Sequence, residues 1–544
     1  MKKSVLIGVI LTSALAFVGF KSSKYFEISK NLEIFANVFR EVNDYYVDDI
    51  NPNELMETGI KAMLASLDPY TNYISEDRIE EFRTENTGQY AGIGIQAFNL
   101  HGKTIISAVA EGYPGAENGL KIGDQIVKVN GIDITRMNFK ESDELLKGQV
   151  KTQVVLSIKR FNVDHLIEIS FIREKVKIAP VPFVRMVDGT FGYFKLNEFT
   201  MNCSKDVKKA LQEVLEEGAK GIIFDLRGNP GGLLMEAVSI CNLFIPKGYE
   251  VVSTRGKFSS HNTKYLTLNS PTNTEIPIVI LVNGMSASAS EIVAGTLQDY
   301  DRAVVIGTKS YGKGLVQISR PLSYNSQLKV TTAKYYIPSG RCIQVLDYSS
   351  RNEDGSVGKI ADSLKTIFKT KNGRPVMDGG GIDPDIEVEE VETPKIAESL
   401  LINGLIFEFA TEFYYSNKVI EQPENFEIND YVYNSFKNWL HNKEYSYETE
   451  IENQLIQLEK HAVREKYYDQ LKPDIERLQE KLKTRKETDL ELYQSYIRKQ
   501  LKEEIIRRYY NDSGIVAASL DDDPFIMQAK LILNDHSKYK MILN

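Results

Sequence analysis

Ile276-Pro277-Ile278-Val279-Ile280-Leu281-Val282-Asn283-Gly284-Met285-Ser286-Ala287-Ser288-Ala289-Ser290-Glu291 is the stretch on which the fold turns. An apolar, β-branched run without polar alternation reads as a buried strand, and the small residues after it mark a turn into a helix from about Ser288 to Asp299. The same strand-to-helix unit recurs outward from it. Upstream lie a strand over Gly192 to Leu196, a helix near Ser204 to Glu217, a strand over Gly221 to Leu226 and a helix near Leu233 to Phe244. Downstream, Val304 to Ile306, Leu315 to Ile318 and Leu328 to Tyr336 add strands, and the region closes near Gly379-Gly380-Gly381-Ile382-Asp383-Pro384. Such alternation predicts a multidomain α/β chain built around a βαβ core with a largely parallel sheet.

The flanks have different periods. Met1-Lys2-Lys3 precedes an uncharged, mostly apolar run from Ser4 to Phe20, then Lys21 and Lys24, which is the pattern of an export segment. Ala14-Leu15-Ala16 offers a small-residue cleavage site, and the alternative is a retained short anchor, slightly under the roughly 20 residues a spanning helix prefers. From Tyr25 to Phe82, Leu32, Phe35, Ala36, Val38 and Phe39, then Ile60, Met63, Leu64 and Leu67, keep helical spacing and predict a small helical domain. From Gly88 the pattern shifts to short strands around glycines, with a tight turn at Asn130-Gly131 and an amphipathic stretch from Phe139 to Leu146. Beyond Glu390 the composition turns to Glu, Lys, Gln, Leu and Tyr, predicting a helical extension with long helices from Thr449 to Tyr510, interrupted at Pro473. The expected organisation is 1–24 signal peptide or anchor, 25–86 helical, 87–174 a small β-rich module, 175–390 the α/β core, and 391–544 a helical extension.

Composition narrows the chemistry. With 66 Lys plus Arg against 75 Asp plus Glu, the formal charge of −9 argues against nucleic-acid binding and favours protein or peptide partners. Three cysteines, Cys203, Cys241 and Cys342, make no disulfide framework, and six scattered histidines form no HExxH or Cys/His cluster. A metal mechanism has no support in the sequence, and neither GxGxxG nor GxxxxGK[ST] accompanies the glycine-rich turns.

Three segments carry candidate chemistry. Small residues at the strand-to-helix turn let one hydroxyl of Ser286, Ser288 or Ser290 stand where helix amides and the positive dipole end favour an oxyanion. Gly307-Thr308-Lys309-Ser310-Tyr311-Gly312-Lys313-Gly314 forms a glycine-flanked loop between two strands. A serine hydroxyl needs a base to attack at neutral pH, and a lysine whose charge is disfavoured by burial can serve. Gln317 can accept a hydrogen bond from that amine and fix its direction. Phe224-Asp225-Leu226-Arg227-Gly228-Asn229-Pro230-Gly231-Gly232 ends a strand, and its glycines let backbone amides approach a reacting carbonyl.

Taken together, these segments resemble the C-terminal processing peptidases, or tail-specific proteases, over residues from about 30 to 390. The family's SASASE serine, GKG lysine and following glutamine fall on Ser288, Lys313 and Gln317. Further matching strings are Leu67-Asp68-Pro69-Tyr70-Thr71, Tyr336-Ile337-Pro338-Ser339-Gly340-Arg341 and Gly380-Gly381-Ile382-Asp383-Pro384-Asp385. The resemblance implies a serine endopeptidase with a ClpP/crotonase-like sheet, Ser288 as nucleophile, Lys313 as base, and oxyanion amides from Ala289 and one of Gly231 or Gly232. It also implies that the module after Gly88 is a PDZ domain. Tyr90-Ala91-Gly92-Ile93-Gly94-Ile95 would then be its carboxylate-binding loop, capturing proteins or peptides with free C-termini. No cofactor is expected. An exported enzyme, periplasmic or anchored to the outer face of the cytoplasmic membrane, follows from the N-terminal run, and a homo-oligomer stays open. The extension after Glu390 lies outside the family's minimal pattern.

Overall fold

The computed structural model describes residues 24–544 apart from 349–350, 353–355, 362 and 487, so the expected export segment lies outside the described residues. The chain divides into two compact units, residues 1–79 with 317–331, and residues 80–316 with 332–544.

The larger unit is built on a six-stranded sheet whose spatial order equals its chain order: β1 (Phe183–Val187), β2 (Phe191–Lys195), β3 (Gly221–Asp225), β4 (Ile278–Val282), β5 (Val304–Gly307) and β6 (Ile386–Glu387). The β1–β2 pair is antiparallel and every later pair is parallel. Phe224 is level with Ile280 and Asp225 with Leu281, so the loops after β3 and β4 leave the same edge of the sheet. That edge is where α/β sheets hold their ligands.

Both faces of the sheet are covered. Phe194, Ile222, Phe224, Ile278, Ile280 and Val305 pack under three helices, α1 (Cys203–Glu216), α2 (Leu234–Cys241) and α3 (Ala289–Asp299). In the C-terminal region, α4 (Leu405–Ser416) and α5 (Gln494–Ser519) belong to a separate helical core containing Phe409, Phe436, Leu501 and Ile505. Beyond them, α6 (Pro524–Asn534) and α7 (His536–Leu543) return to the sheet. Phe525, Ile526, Ile532 and Tyr539 there bury Tyr193, Ile223, Val279, Leu281 and Ile306 on the second face. The Tyr539 hydroxyl accepts the Ile278 amide at 2.9 Å and donates to the Ile278 carbonyl at 3.1 Å, locking α7 to the start of β4. Each fully buried side chain of this kind contributes about 1.5–3 kcal/mol, so the end of the extension is part of the core rather than an appendage.

A second sheet in the same unit runs Ile95–Leu100, Lys103–Val109, Gln125–Val129, Gln153–Lys159 and Ile167–Ile172 in spatial order, with a helix over Phe139–Leu146. It encloses its own core of Ile93, Ile106, Leu120, Ile126, Val154, Leu156 and Phe171. Ile95–Leu100 is an edge strand bonded on one side. On the back of this sheet α4 docks closely: Phe98 meets Phe407 edge-on at 5.1 Å, and a Cβ on Gly123 would stand 2.6 Å from Thr411.

The smaller unit contains a helix that ends at Tyr45 and a second over Pro52–Ala65. It also holds the strand Asn72–Ile74, which is antiparallel to Gln327–Lys329. Asn51 caps the second helix by accepting the Asn53 amide. The helical spacing of the sequence is matched by helices, yet Tyr25, Phe26, Leu32, Val38 and Met63 are exposed. Among the described residues of 24–79, the buried apolar side chains are Leu64, Ile74 and Ile79. Segment 25–86 therefore encloses no independent apolar core.

Pro473 does not interrupt the C-terminal helices as the sequence suggested. It lies within the helix Tyr468–Lys486, one and a half turns from its start, where its missing N–H forfeits one helical bond. The break comes earlier, at Lys466, whose φ of 64° reverses the chain between two helices.

Candidate active site

The turn between β4 and α3 sorts its three serines by burial. Ser286 and Ser290 are fully buried, and their hydroxyls donate to the carbonyls of Leu226 at 2.8 Å and Asn229 at 2.9 Å. Both hydroxyls are committed to holding the β3 and β4 loops together. Ser288 is partly exposed and immediately precedes α3. Its backbone has φ 55° and ψ −111°, a strained conformation for a residue with a Cβ. Strain of that kind persists only where surrounding contacts over-determine it, and it is how a nucleophilic serine is thrust out at a strand-to-helix turn.

Those contacts centre on Glu291, which is fully buried. Its Oε2 accepts the amide of Ser288 at 2.8 Å and that of Lys313 at 2.9 Å. Its Oε1 accepts the Gly312 amide at 2.7 Å and the Ser310 hydroxyl at 2.6 Å. Burial pushes the carboxyl up, opposed by the bonds from Ser310, Lys313, Gly312 and Ser288, to about 7. A second tie comes from the buried phenol of Tyr335, which donates to the carbonyls of Lys313 at 2.5 Å and Ser288 at 3.2 Å. The backbones of Ser288 and Lys313, 25 residues apart in sequence, are thus joined at two points.

The glycines beside Lys313 make this approach possible. A Cβ on Gly312 (φ 87°) would stand 1.9 Å from Val345 Cγ2, and one on Gly314 would stand 2.7 Å from the Gln344 amide. The loop is held against that segment by Val345 N–H donating to Gly312 and Gly314 N–H donating to Gln344 Oε1. Lys313 itself is half-buried.

The loop after β3 closes the other side. Asn229 is fully buried; its Nδ2 donates to the Leu196 carbonyl, and its own carbonyl accepts the Ala287 amide. A Cβ on Gly231 would stand 2.8 Å from Ser288 Cβ and 2.9 Å from the Ala289 amide nitrogen, so only glycine lets the loop reach the serine. The Gly231 amide already donates to Asn229 Oδ1 at 2.9 Å. Neither the Gly232 nor the Ala289 amide has a hydrogen-bond acceptor among the described residues. At the root of the loop, Arg227 makes three bonds of 2.7–3.2 Å to the buried carboxylate of Asp225. Burial pushes that carboxyl up, but the Arg227 charge and hydrogen bonds more than offset this and hold it below the usual range.

Gln317 belongs to the smaller unit, where its Nε2 donates to Thr331 Oγ1 at 3.2 Å. The Thr331 amide donates to Thr71 Oγ1, and Asp68 accepts the amides of Tyr70 and Thr71 at 2.8 Å together with the Thr71 hydroxyl. The Leu67–Thr71 string is therefore a turn that braces the strand facing Gln317. The other two strings also hold the fold. Arg341 is fully buried and pairs with Asp299 at 2.9 Å, and Asp385 accepts the Val305 amide at 2.8 Å. Next to the small sheet module, Tyr90, Ala91 and Gly92 pair antiparallel with Val176, Lys175 and Glu174 respectively. The carbonyls of Ile93 and Gly94 accept the amides of Gly115 and Ala110, and Ile95 opens the edge strand.

Sequence reasoning did not single out Glu291, Tyr335, Asn229 or the Asp225–Arg227 pair. Glu291 lay inside a quoted motif, but its partners from the lysine loop are 19 to 22 residues away. Among the described residues no His/Cys/Asp/Glu group could hold a metal ion.

Residues 190–347 match the model of Peptidase family S41, and 105–160 match that of the PDZ domain. Residues 396–533 match "Probable PDZ-protease, C-terminal helical domain". The chain is 37% identical over 319 residues to a carboxy-terminal-processing protease of Bartonella bacilliformis, covering 58% of this chain and 73% of that one. It is 31% identical over 353 residues to the carboxy-terminal processing protease CtpA of Bacillus subtilis, covering 62% and 73%. The chain belongs to the carboxy-terminal processing proteases of peptidase family S41, and is a serine protease carrying a PDZ domain and a helical C-terminal domain.

Proposed function

We propose that Ser288 is the nucleophile and Lys313 its general base in cleavage of proteins near their C-termini. One observation carries this reading: the only partly exposed serine of the β4–α3 turn is strained, and its backbone is bound to that of Lys313 through Glu291 and Tyr335. Neutral Lys313 takes the Ser288 hydroxyl proton as Oγ bonds to the peptide carbonyl carbon. The proton passes to the leaving amine as the C–N bond breaks, and water then hydrolyses the acyl-enzyme. The amides of Ala289 and Gly232 stabilise the developing oxyanion; the Gly231 amide is already taken by Asn229. The role of directing the lysine amine is given to Gln317 by the family resemblance alone; its Nε2 donates to Thr331 Oγ1 within the smaller unit. The sheet order and its flanking helices are consistent with the crotonase-like arrangement implied by the resemblance.

The PDZ domain delivers the substrate. A free C-terminal carboxylate is held by the 90–95 loop while the tail pairs along the open edge of Ile95–Leu100. Substrates and enzyme share an exported location, a reading that rests on the Lys-flanked apolar run from Ser4 to Phe20. No helix among the described residues is long and apolar enough to cross a membrane, and that run lies outside them. Purified Ser288→Ala and Lys313→Ala variants that keep the wild-type melting temperature should each lose cleavage of a casein substrate. Full activity in either would refute the assignment.

A further inference from the structure

Besides packing on the sheet, the C-terminal region reaches the loop after β3 through Asp523. Asp523 caps α6, its Oδ1 accepting the amides of Phe525 at 2.8 Å and Ile526 at 3.3 Å. The same carboxylate meets Arg227 Nη1 at 2.8 Å through Oδ2 and at 3.0 Å through Oδ1. The Arg227 guanidinium also lies 4.8 Å from the centre of the Phe525 ring. On its other side it is clamped to Asp225, which in turn accepts the Tyr193 hydroxyl at 2.8 Å. Arg227 is thus a planar cation gripped by two carboxylates and an aromatic face, one of the carboxylates coming from nearly 300 residues downstream.

What Arg227 holds is the root of the oxyanion loop. Its amide donates to Asp225 Oδ1; the next residue, Gly228, donates to Asn283 Oδ1; and the preceding Leu226 carbonyl accepts both the Asn229 amide and the Ser286 hydroxyl. The Arg227 amide and its Nε both donate to Asp225 Oδ1, so the guanidinium and the root of the loop share one anchor. A bidentate or charge-assisted grip restricts rotation of the guanidinium where a single pair leaves it free.

We propose that Asp523 is a positioning residue for the protease reaction. The first residue of the α6 cap fixes Arg227, and through it the loop that supplies the oxyanion amide, so the helical domain sets the catalytic competence of the core it covers. The inference rests on Ser288 being the nucleophile, and its test separates the two. In the full-length protein acting on fluorescein-labelled casein, Asp523→Asn keeps an equally good helix cap but removes the negative charge that faces Arg227. It should lower kcat about tenfold with KM and melting temperature unchanged. It should also slow modification by a fluorophosphonate to the same degree. Asp523→Glu, which keeps a carboxylate, should recover most of the rate, and Asp522→Asn, altering an exposed neighbour, should match the wild type. A wild-type kcat in Asp523→Asn would overturn the proposal. So would equal losses in the Asn and Glu variants accompanied by a lowered melting temperature, because the residue would then serve only as a cap. Ser288→Ala decides the underlying reading independently: activity surviving there sinks the nucleophile assignment, whereas its loss beside a fully active Asp523→Asn sinks this proposal alone.

Discussion

Glu291 and Lys313 meet through one hydrogen bond, the lysine amide donating to the glutamate Oε2 at 2.9 Å, on the oxygen that also accepts the Ser288 amide. Three of the four groups that bond this carboxyl are backbone amides, which can only donate, so the ionised form fits the site. Glu291→Gln, which brings an NH₂ into the same place, should lower kcat by about ten- to a hundredfold, as expected for a buried hydrogen bond worth 1–3 kcal/mol. The check is steady-state cleavage with folding confirmed by circular dichroism.

The same group shapes the pH response. Burial raises it from 4.5 to about 7, so between those values the folded protein holds a proton that the unfolded chain has lost. Its contribution to stability is complete below about 4.5 and is lost as pH rises through about 7. Activity should move the opposite way, climbing through the same window as the carboxylate forms. Urea denaturation and kcat/KM measured from pH 5 to 9 test both, and Glu291→Gln should flatten each trend in this window.

Asp225 and Arg227 are a buried pair that cannot lose one member cheaply. Asp225→Ala leaves the guanidinium without its inner partner and should destabilise the protein by about 3–5 kcal/mol. Chemical denaturation measures it, with a loss under 1 kcal/mol contradicting the role assigned to the pair.

Gly312→Ala should displace the lysine loop, because the new Cβ would overlap Val345 Cγ2 and the φ of 87° disfavours any side chain. A cost of about 1–3 kcal/mol is expected. Adding Val345→Ala removes the 1.9 Å overlap with Cγ2 but leaves the Cβ of residue 345 at 2.8 Å and the backbone strain, so the double variant should recover only part of the activity.

The edge strand Ile95–Leu100 should take a peptide in a carboxylate-dependent way. Fluorescence anisotropy with the Ser288→Ala protein should show a labelled peptide with a free C-terminus binding at least about tenfold tighter than its C-terminal amide. Equal affinities would remove the loop from the account of delivery.

Much of the fold could be read from the chain because the core strands are uninterrupted apolar runs punctuated by glycine. Gly221–Asp225, Ile278–Val282 and Val304–Gly307 lie within a residue or two of where their composition puts them. The candidate nucleophile was less legible from the residues alone: Ser286, Ser288 and Ser290 are chemically equivalent in a string, the family resemblance points to Ser288, and burial with an occupied hydroxyl sets the other two apart. Glu291 reads as an ordinary helix-start acid until its distant partners are known. Asp523 before Pro524 signals a helix cap, and nothing local announces Arg227 across the fold. The composition beyond Glu390 predicted a helical extension, and nothing in it showed that α6 and α7 carry Phe525, Ile526 and Tyr539 onto the sheet. In the first 80 residues the helical spacing is present, but periodicity cannot say what an apolar stripe will face.

The most direct measurement is peptide mapping after reaction with a fluorophosphonate, performed on the wild type and on Lys313→Ala. A single adduct on Ser288 is expected, forming at least about a hundredfold more slowly without the lysine. Adduct on another residue, or an undiminished rate in Lys313→Ala, would contradict an attack in which this amine relieves this hydroxyl of its proton.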